Sequence, residues 1–211
     1  MSQVFSIHPV NPQARLIRRA ADCVRSGGVI AYPTDTTYAL GCRIGDKEAS
    51  DRMRAIRALS PDHHLTLVCS GIAQAAQYAR MDDLRFRTVK RASSGDYVFI
   101  LPATREVPRR LQHPRRKTIG IRLAGHPVAA ALLVELAEPL LSTTLQFPGD
   151  PYPLNDAEEI RSRLGKRIDL ILDAGSCGVE PSTVVDLTGA LPVVLRKGKG
   201  PVGRLGLPVE E

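Results

Sequence analysis

The sequence predicts an α/β (α+β) fold in a single domain, on three observations. Short apolar runs alternate with amphipathic stretches of helical period along the chain. The apolar runs are brief and unevenly spaced, which favours a mixed sheet over a regular doubly wound one. The 211 residues suffice for one substantial core, and neither an internal repeat nor a low-complexity linker divides them.

Each element follows from local chemistry. Asn11-Pro12 reads as an N-cap with proline at the first helical position; Leu16, Ile17, Ala20, Ala21 and Val24 then share one face, and Gly27-Gly28 ends the helix. Val29 to Tyr32 is a short apolar strand running into the polar segment Pro33-Thr34-Asp35-Thr36-Thr37-Tyr38. Asp46 or Lys47 opens a second helix reaching about Leu59, Leu65 to Cys69 is a strand, and two short helices lie around Ile72 to Tyr78 and Asp82 to Arg91. Strands at Tyr97 to Leu101 and Thr118 to Leu123 flank a basic loop. His126-Pro127 starts a helix through Leu136, and Leu140 to Thr144 is again a strand. A Pro- and Gly-rich loop from Gln146 to Asn155 leads to a polar helix from about Asp156 to Leu164. Strands near Asp169 to Leu172, Thr183 to Leu187 and Val193 to Arg196 complete a domain spanning residues 9–200, with 201–211 expected to be a loosely ordered tail.

Composition narrows the functional classes. No run of about 18 apolar residues is present, so no membrane span is expected. The start, Met1 to Phe5, lacks a basic segment followed by an apolar one, and the expected location is the cytoplasm. Cys23, Cys42, Cys69 and Cys177 stand far apart with no Cys-x-x-Cys pair, which reads as four reduced, mostly buried thiols rather than a structural metal site or a disulfide framework.

The net charge of +7 points towards polyanions, and its distribution is more informative than its sum. Arg105, Arg109, Arg110, Arg115, Arg116, Lys117 and Arg122 lie close together, with Glu106 the one acid among them. Arg109, Arg110, Arg115, Arg116 and Lys117 are candidate RNA-phosphate contacts, a solvated basic loop being the alternative. Aromatic residues make up only 4% and Trp is absent, so platforms for base stacking are scarce.

Four constellations can carry chemistry. The hydroxyls and carboxylate of Thr34 to Tyr38 can bind a small polar ligand or cap a local turn. Arg122 ends an apolar strand just before His126-Pro127, where it can pair with a carboxylate or grip a phosphate. Leu141-Ser142-Thr143-Thr144 ends another strand in hydroxyls, and Ser182-Thr183 with Leu195-Arg196 lies near the C-terminal strands. No Ser-His-Asp or Cys-His arrangement and no Gly-x-x-x-x-Gly-Lys phosphate loop is visible.

In this order, Pro33-Thr34-Asp35-Thr36 through Gly41, Gly120-Ile121-Arg122 with His126-Pro127, Leu141-Ser142, Ser182 to Asp186 and Leu195-Arg196-x-Gly198 resemble the YrdC-like family. The resemblance spans almost the whole chain. It implies a twisted mixed sheet flanked by helices around a large electropositive cavity. It also implies an activity like that of threonylcarbamoyl-AMP synthases, which join L-threonine, bicarbonate and ATP into threonylcarbamoyl-adenylate and pyrophosphate for t6A modification of tRNA. ATP with Mg2+ would be substrate rather than a tightly bound cofactor, and double-stranded RNA or tRNA a further partner. Carried over residue by residue, Thr34 with Tyr38 would hold the amino acid, Ser142, Ser182 and Arg196 would line the nucleotide site, and Arg122 would support phosphates or a carboxylate. Such chemistry rests on positioning and positive charge more than on a catalytic triad.

The chain departs from the synthase pattern at named positions. Where synthases carry Lys-x-Arg, this sequence has Arg57-Ala58-Leu59, so Arg57 would serve both substrate and nucleotide while Leu59 offers no charge. The Ser-x-Asn pair is Ser142-Thr143-Thr144, and a histidine of many synthases corresponds to Val68. This pattern looks like the YciO branch. Three functional classes follow: a synthase of this type, a nucleotide- or RNA-binding protein without the reaction, and a hydrolase or other carbamoyl-transfer enzyme on the same cavity.

Overall fold

The structure is a computed structural model that describes residues 2–60 and 63–206. The chain runs β1 (Gln3–Ser6), α1 (Ala14–Arg25), β2 (Ile30–Pro33), β3 (Tyr38–Arg43), α2 (Lys47–Arg57), β4 (Thr66–Cys69), α3 (Ile72–Tyr78) and α4 (Asp83–Arg91). It continues through β5 (Tyr97–Pro102), β6 (Thr118–Leu123), α5 (Pro127–Leu136), β7 (Leu140–Thr144), α6 (Ala157–Leu164), β8 (Leu170–Asp173), β9 (Thr183–Asp186) and β10 (Val193–Arg196). Single 3-10 turns occupy Arg109–Leu111 and Val202–Leu205.

Most helices begin where a side chain takes up a free backbone N–H. Asp46, Asp82, His126 and Asp156 accept from the first turns of α2, α4, α5 and α6. α1 differs: it starts at Ala14 with Gln13 at the cap position, not at Asn11-Pro12. The Gln13 side chain turns back to accept from His8 N at 3.1 Å, so it is unavailable as a cap.

Ten strands form one mixed sheet in the order β1-β8-β2-β3-β7-β4-β6-β5-β9-β10. Four neighbouring pairs are parallel, β1–β8, β2–β8, β4–β6 and β5–β9, and the others antiparallel. Two strands were not predicted. β1 buries one side chain, Phe5, out of four, leaving no apolar run to read. β3 follows directly on the hydroxyl-rich turn and is broken by Gly41, which masks its alternation.

Side-chain alternation divides the core between the two faces. On one face Tyr38, Leu40, Leu67, Phe99, Ile119, Ile121, Leu141 and Val185 meet buried residues of α2, α3, α4 and α6, such as Met53, Ala75, Val89 and Ile160. On the other face Ile30, Tyr32, Ala39, Val68, Leu140, Leu170 and Leu172 meet α1 and α5 through Ile17, Val24, Leu132 and Leu133. This second cluster includes no residue of β5, β6, β9 or β10. The face is therefore covered over its β1 to β3 half and stops at Val68 and Leu140.

The domain limits of 9 and 200 need correction. β1 pairs with β8 across Gln3↔Leu170 to Ser6↔Asp173. At the other end Thr183 Oγ1 donates to Gly200 O at 2.7 Å, Tyr97 Oη donates to Pro201 O at 2.9 Å, and Leu205 is buried. Residues 201–206 are thus held by side-chain hydrogen bonds and packing rather than loosely ordered, and 207–211 lie outside the described residues. Among the described residues no helix is long and apolar enough to cross a membrane, and the four cysteines are free thiols, Cys42 and Cys69 buried.

Candidate functional site

Where α1 and α5 end, the sheet face becomes the floor of a cavity of about 480 Å3. Its floor side chains are those whose neighbours along each strand point into the opposite core: Thr66 and Val68 on β4, Arg122 on β6, Val98 and Ile100 on β5, Val184 on β9. The register places Val68 beside Arg122, Thr66 between Ser142 and Gly120, and Val98 beside Val184. The walls come from the end of α2 and the segment after it (Arg57, Ser60, His63, His64), from β7 (Ser142, Thr144) and from Ser182, Leu195 and Arg196. The volume suits a small-molecule ligand.

The charge is one-sided. Three arginines and two histidines line the cavity, with no Asp or Glu among the lining residues described. Arg122 is only 6% exposed. Its Nη2 donates to Thr34 Oγ1 at 3.0 Å and Thr36 Oγ1 at 2.9 Å, and Asp35 Oδ2 stands 4.0 Å away. Burial, more than any neighbour, draws its pKa below the usual guanidinium value, with Tyr32 and Asp35 opposing. Arg57 and Arg196 shift the same way, first through burial, and Arg122 adds repulsion at Arg196. Arg57 Nε is buried with no hydrogen-bond partner among the described residues. Arg196 is oriented by Ser182, whose carbonyl accepts from Nε at 3.1 Å and Nη2 at 2.8 Å. Such a set offers donors and positive charge to an anion, with no carboxylate on the described lining and Asp35 behind Arg122 its one close acidic neighbour.

Hydroxyl polarity is fixed too. Ser142 Oγ donates to Leu40 O at 2.9 Å and lies 2.7 Å from Tyr32 Oη. The serine has one proton and gives it to a carbonyl, so Tyr32 donates to Ser142, leaving an acceptor lone pair towards the cavity.

The sequence-predicted residues separate into two sets. Arg57, Arg122, Ser142, Thr144, Ser182 and Arg196 come together around the cavity. Thr34 and Tyr38 do not line it. Thr34 is buried behind Arg122, donates to Thr37 O at 2.6 Å and accepts from Arg122. Tyr38 points into the opposite core, donating to Gly175 O at 2.9 Å and accepting from Ala174 N at 3.2 Å. Alternation along β3 sends Ala39, not Tyr38, to the cavity face. Leu59 packs against the core of α2 rather than lining the cavity. Asp35 is held between Gly95 and Gly125, where an added Cβ would fall 1.6 Å and 2.4 Å from its carboxylate oxygens, so only glycine fits at either place.

In the basic loop Arg110 is tied to Gly45 O, Arg116 to Asp186 at 3.3 Å, and Lys117 Nζ donates to Pro114 O at 2.8 Å. Arg109 and Arg115 show no such tie among the described residues.

His63, His64 and Gln146 are lining residues that sequence reading missed. The signal available in the sequence is the His63-His64 pair shortly after Arg57, at the entry to β4. A wider groove of about 660 Å3 between β1, α1 and β8 is lined by both signs, including Arg19 and Lys166 with Asp22 and Asp169, and lacks this one-sided field. Among the described residues no group of three or more His, Cys, Asp or Glu comes together to hold a metal ion.

Comparisons with known proteins agree with this architecture. Residues 22–198 match the Sua5/YciO/YrdC family, described as telomere recombination. The chain is 51% identical over 202 residues to the uncharacterised protein YciO of Escherichia coli K12, covering 96% of this chain and 98% of that one. The crystal structure of E. coli YciO superposes with a TM-score of 0.95 over 97% of this chain and all of that one, at 50% identity. A threonylcarbamoyl-AMP synthase of Halorhodospira halophila is 32% identical over 170 residues, 80% of this chain and 88% of that protein. The structure of Pyrococcus abyssi Sua5 complexed with L-threonine gives a TM-score of 0.85 at 26% identity, over 93% of this chain and 58% of that longer one. The matched span, the near-full-length identity to YciO and the shared ten-stranded sheet place the chain in the Sua5/YciO/YrdC family.

Proposed function

We propose that the cavity binds ATP and supports an adenylate-forming reaction of the threonylcarbamoyl-AMP synthase type. The observation that carries this reading is the convergence of Arg57, Arg122 and Arg196 on one cavity with no lining carboxylate. In such a reaction an amine carbamate attacks the α-phosphorus, the new O–P bond forms and pyrophosphate departs. Guanidinium groups held before the ligand arrives stabilise the charge that spreads over the phosphoryl oxygens. Magnesium would enter on the triphosphate, whose oxygens rather than side chains of this cavity would hold it. Ser142 would accept from an N–H or O–H of the ligand. The threonine-bound Sua5 relative supports L-threonine as the amine to test first, with bicarbonate.

The test is adenylate formation by the purified protein with labelled ATP, magnesium, bicarbonate and L-threonine. A threonine-dependent acyl-adenylate with equimolar pyrophosphate is the expected result. ATP binding with no product would support a second reading, a nucleotide- or RNA-binding protein without the reaction. That reading is favoured by Leu59, whose uncharged side chain packs on the core and leaves the α2 wall one arginine. RNA contact would then run through the basic loop, most of all Arg109 and Arg115, whose side chains have no acceptor among the described residues. Replacing both with Ala should weaken duplex RNA binding and flatten its salt dependence by roughly one unit of slope per lost phosphate contact.

A further inference from the structure

We propose that His63 and His64 form a proton-accepting arm of the anion site, so that a phosphate-bearing ligand binds with uptake of protons from solvent. The inference rests on the reading that the cavity takes a nucleotide phosphate, and adds to it a pair of residues and a proton balance.

Both residues line the cavity, and His63 lies near Arg57. His64 is fixed in place: its Nε2 lies 2.9 Å from Thr118 Oγ1, and its ring stacks on His113 with centroids 4.6 Å apart. His113 Nδ1 accepts from the backbone N–H of Arg115 and Arg116, which places its own proton on Nε2 when neutral. The charged groups facing the pair are Arg54 and Arg57 from α2, Arg196 from β10, His113 and Arg116 from the basic loop, and Asp186 from β9. The four arginines are cationic, and the one acid, Asp186, is already occupied by Arg116 and by the Thr188 hydroxyl at 2.6 Å.

In the free chain, burial first and the neighbouring positive groups second hold both imidazoles below their usual pKa, which favours the neutral form near pH 7. A phosphate reverses the balance. It cancels the arginine field and offers oxygens to an imidazolium N–H, so each ring can take one proton from solvent on ligand binding. Between the free and bound pKa values, affinity then falls as pH rises, by up to about tenfold per pH unit for each proton taken up.

The experiment is calorimetric titration of the full chain with ATP and magnesium at pH 6.5 and 7.5, in pairs of buffers of different ionisation heat. The His63→Gln, His64→Gln double variant corrects for the titration of ATP itself. The expected result is a buffer-dependent heat showing proton uptake by the natural chain beyond that of the variant, with a steeper loss of affinity at pH 7.5. Histidine ring NMR of the natural chain gives a second reading that no variant's folding can spoil: two ring signals should titrate at higher pH when ATP is bound. ATP binding with equal proton uptake in both proteins and unmoved ring titrations would overturn the inference while leaving nucleotide binding intact. No ATP binding at either pH would overturn the nucleotide reading, and the proton arm with it.

Discussion

One face of the sheet carries opposite chemistry in its two halves. Over β1, β8, β2 and β3 the outward side chains are Phe5, Leu170, Leu172, Ile30 and Tyr32, sealed under α1 and α5. Over β4, β6, β5 and β9 the same face presents Thr66, Arg122, Val98 and Val184 with no helix above them. Both halves hang on the same strand pairing and the same opposite core. The difference teaches that the site is made by where helical cover stops, and that stability and ligand binding are carried by different halves. Substitutions should separate the two properties.

The largest effect belongs to the covered half. Leu132 of α5 is fully buried in the cluster that α5 forms with α1 and β2, so Leu132→Ala should cost about 2–5 kcal/mol of stability, from lost transfer energy plus the cavity left behind. Urea unfolding measures this, and ATP affinity below the transition should be unchanged. Lost affinity in a folded Leu132→Ala protein would show that the halves are not independent.

Arg122 should give the converse. Its guanidinium is desolvated, its nearest carboxylate stands 4.0 Å off, and its acceptors among the described residues are the hydroxyls of Thr34 and Thr36. Removing one partner of a buried pair is destabilising, but Asp35 is partly exposed and keeps the bond from Gly125 N–H at 3.1 Å, which limits the cost here. Arg122→Met should therefore lower stability by less than Leu132→Ala does, while ATP affinity falls about 10- to 150-fold, the equivalent of about 1.5–3 kcal/mol for a charge-assisted contact. A large drop in stability with unchanged binding would make Arg122 a structural residue and move the anion site elsewhere.

The sequence showed the covered half better than the open one. Ile17, Ala20, Ala21 and Val24 in α1 repeat at helical spacing, and packing under a helix is what such spacing encodes. Asp46, Asp82, His126 and Asp156 marked helix starts because a cap is a local interaction. Family likeness brought Arg57, Arg122, Ser142, Thr144, Ser182 and Arg196 together, but not their orientation. The face that Tyr38 takes depends on the strand phase of β3, and β3 is not legible in the sequence. His63 and His64 belong to the site only because β4 carries the preceding segment over β6, a non-local fact.

Tyr32 sits on the border between the halves, its ring in the covered core and its hydroxyl on Ser142 of the cavity wall. Tyr32→Phe should cost about 0.5–1.5 kcal/mol, the net worth of one buried hydrogen bond. Its pH signature distinguishes that bond from simple packing. Burial pushes the phenol up to about 12, above an unfolded value near 10. The folded chain therefore holds this proton more tightly than the unfolded chain. Its contribution to stability is full below pH of about 10 and is lost as pH rises towards 12. Tyr38 shifts in the same direction for the same reason, so the difference between natural chain and variant isolates Tyr32. That difference should shrink across this alkaline window. A constant difference would mean that the phenol titrates normally and is reached by water. The border would then be open, with solvent passing from the cavity under the edge of α1 and α5.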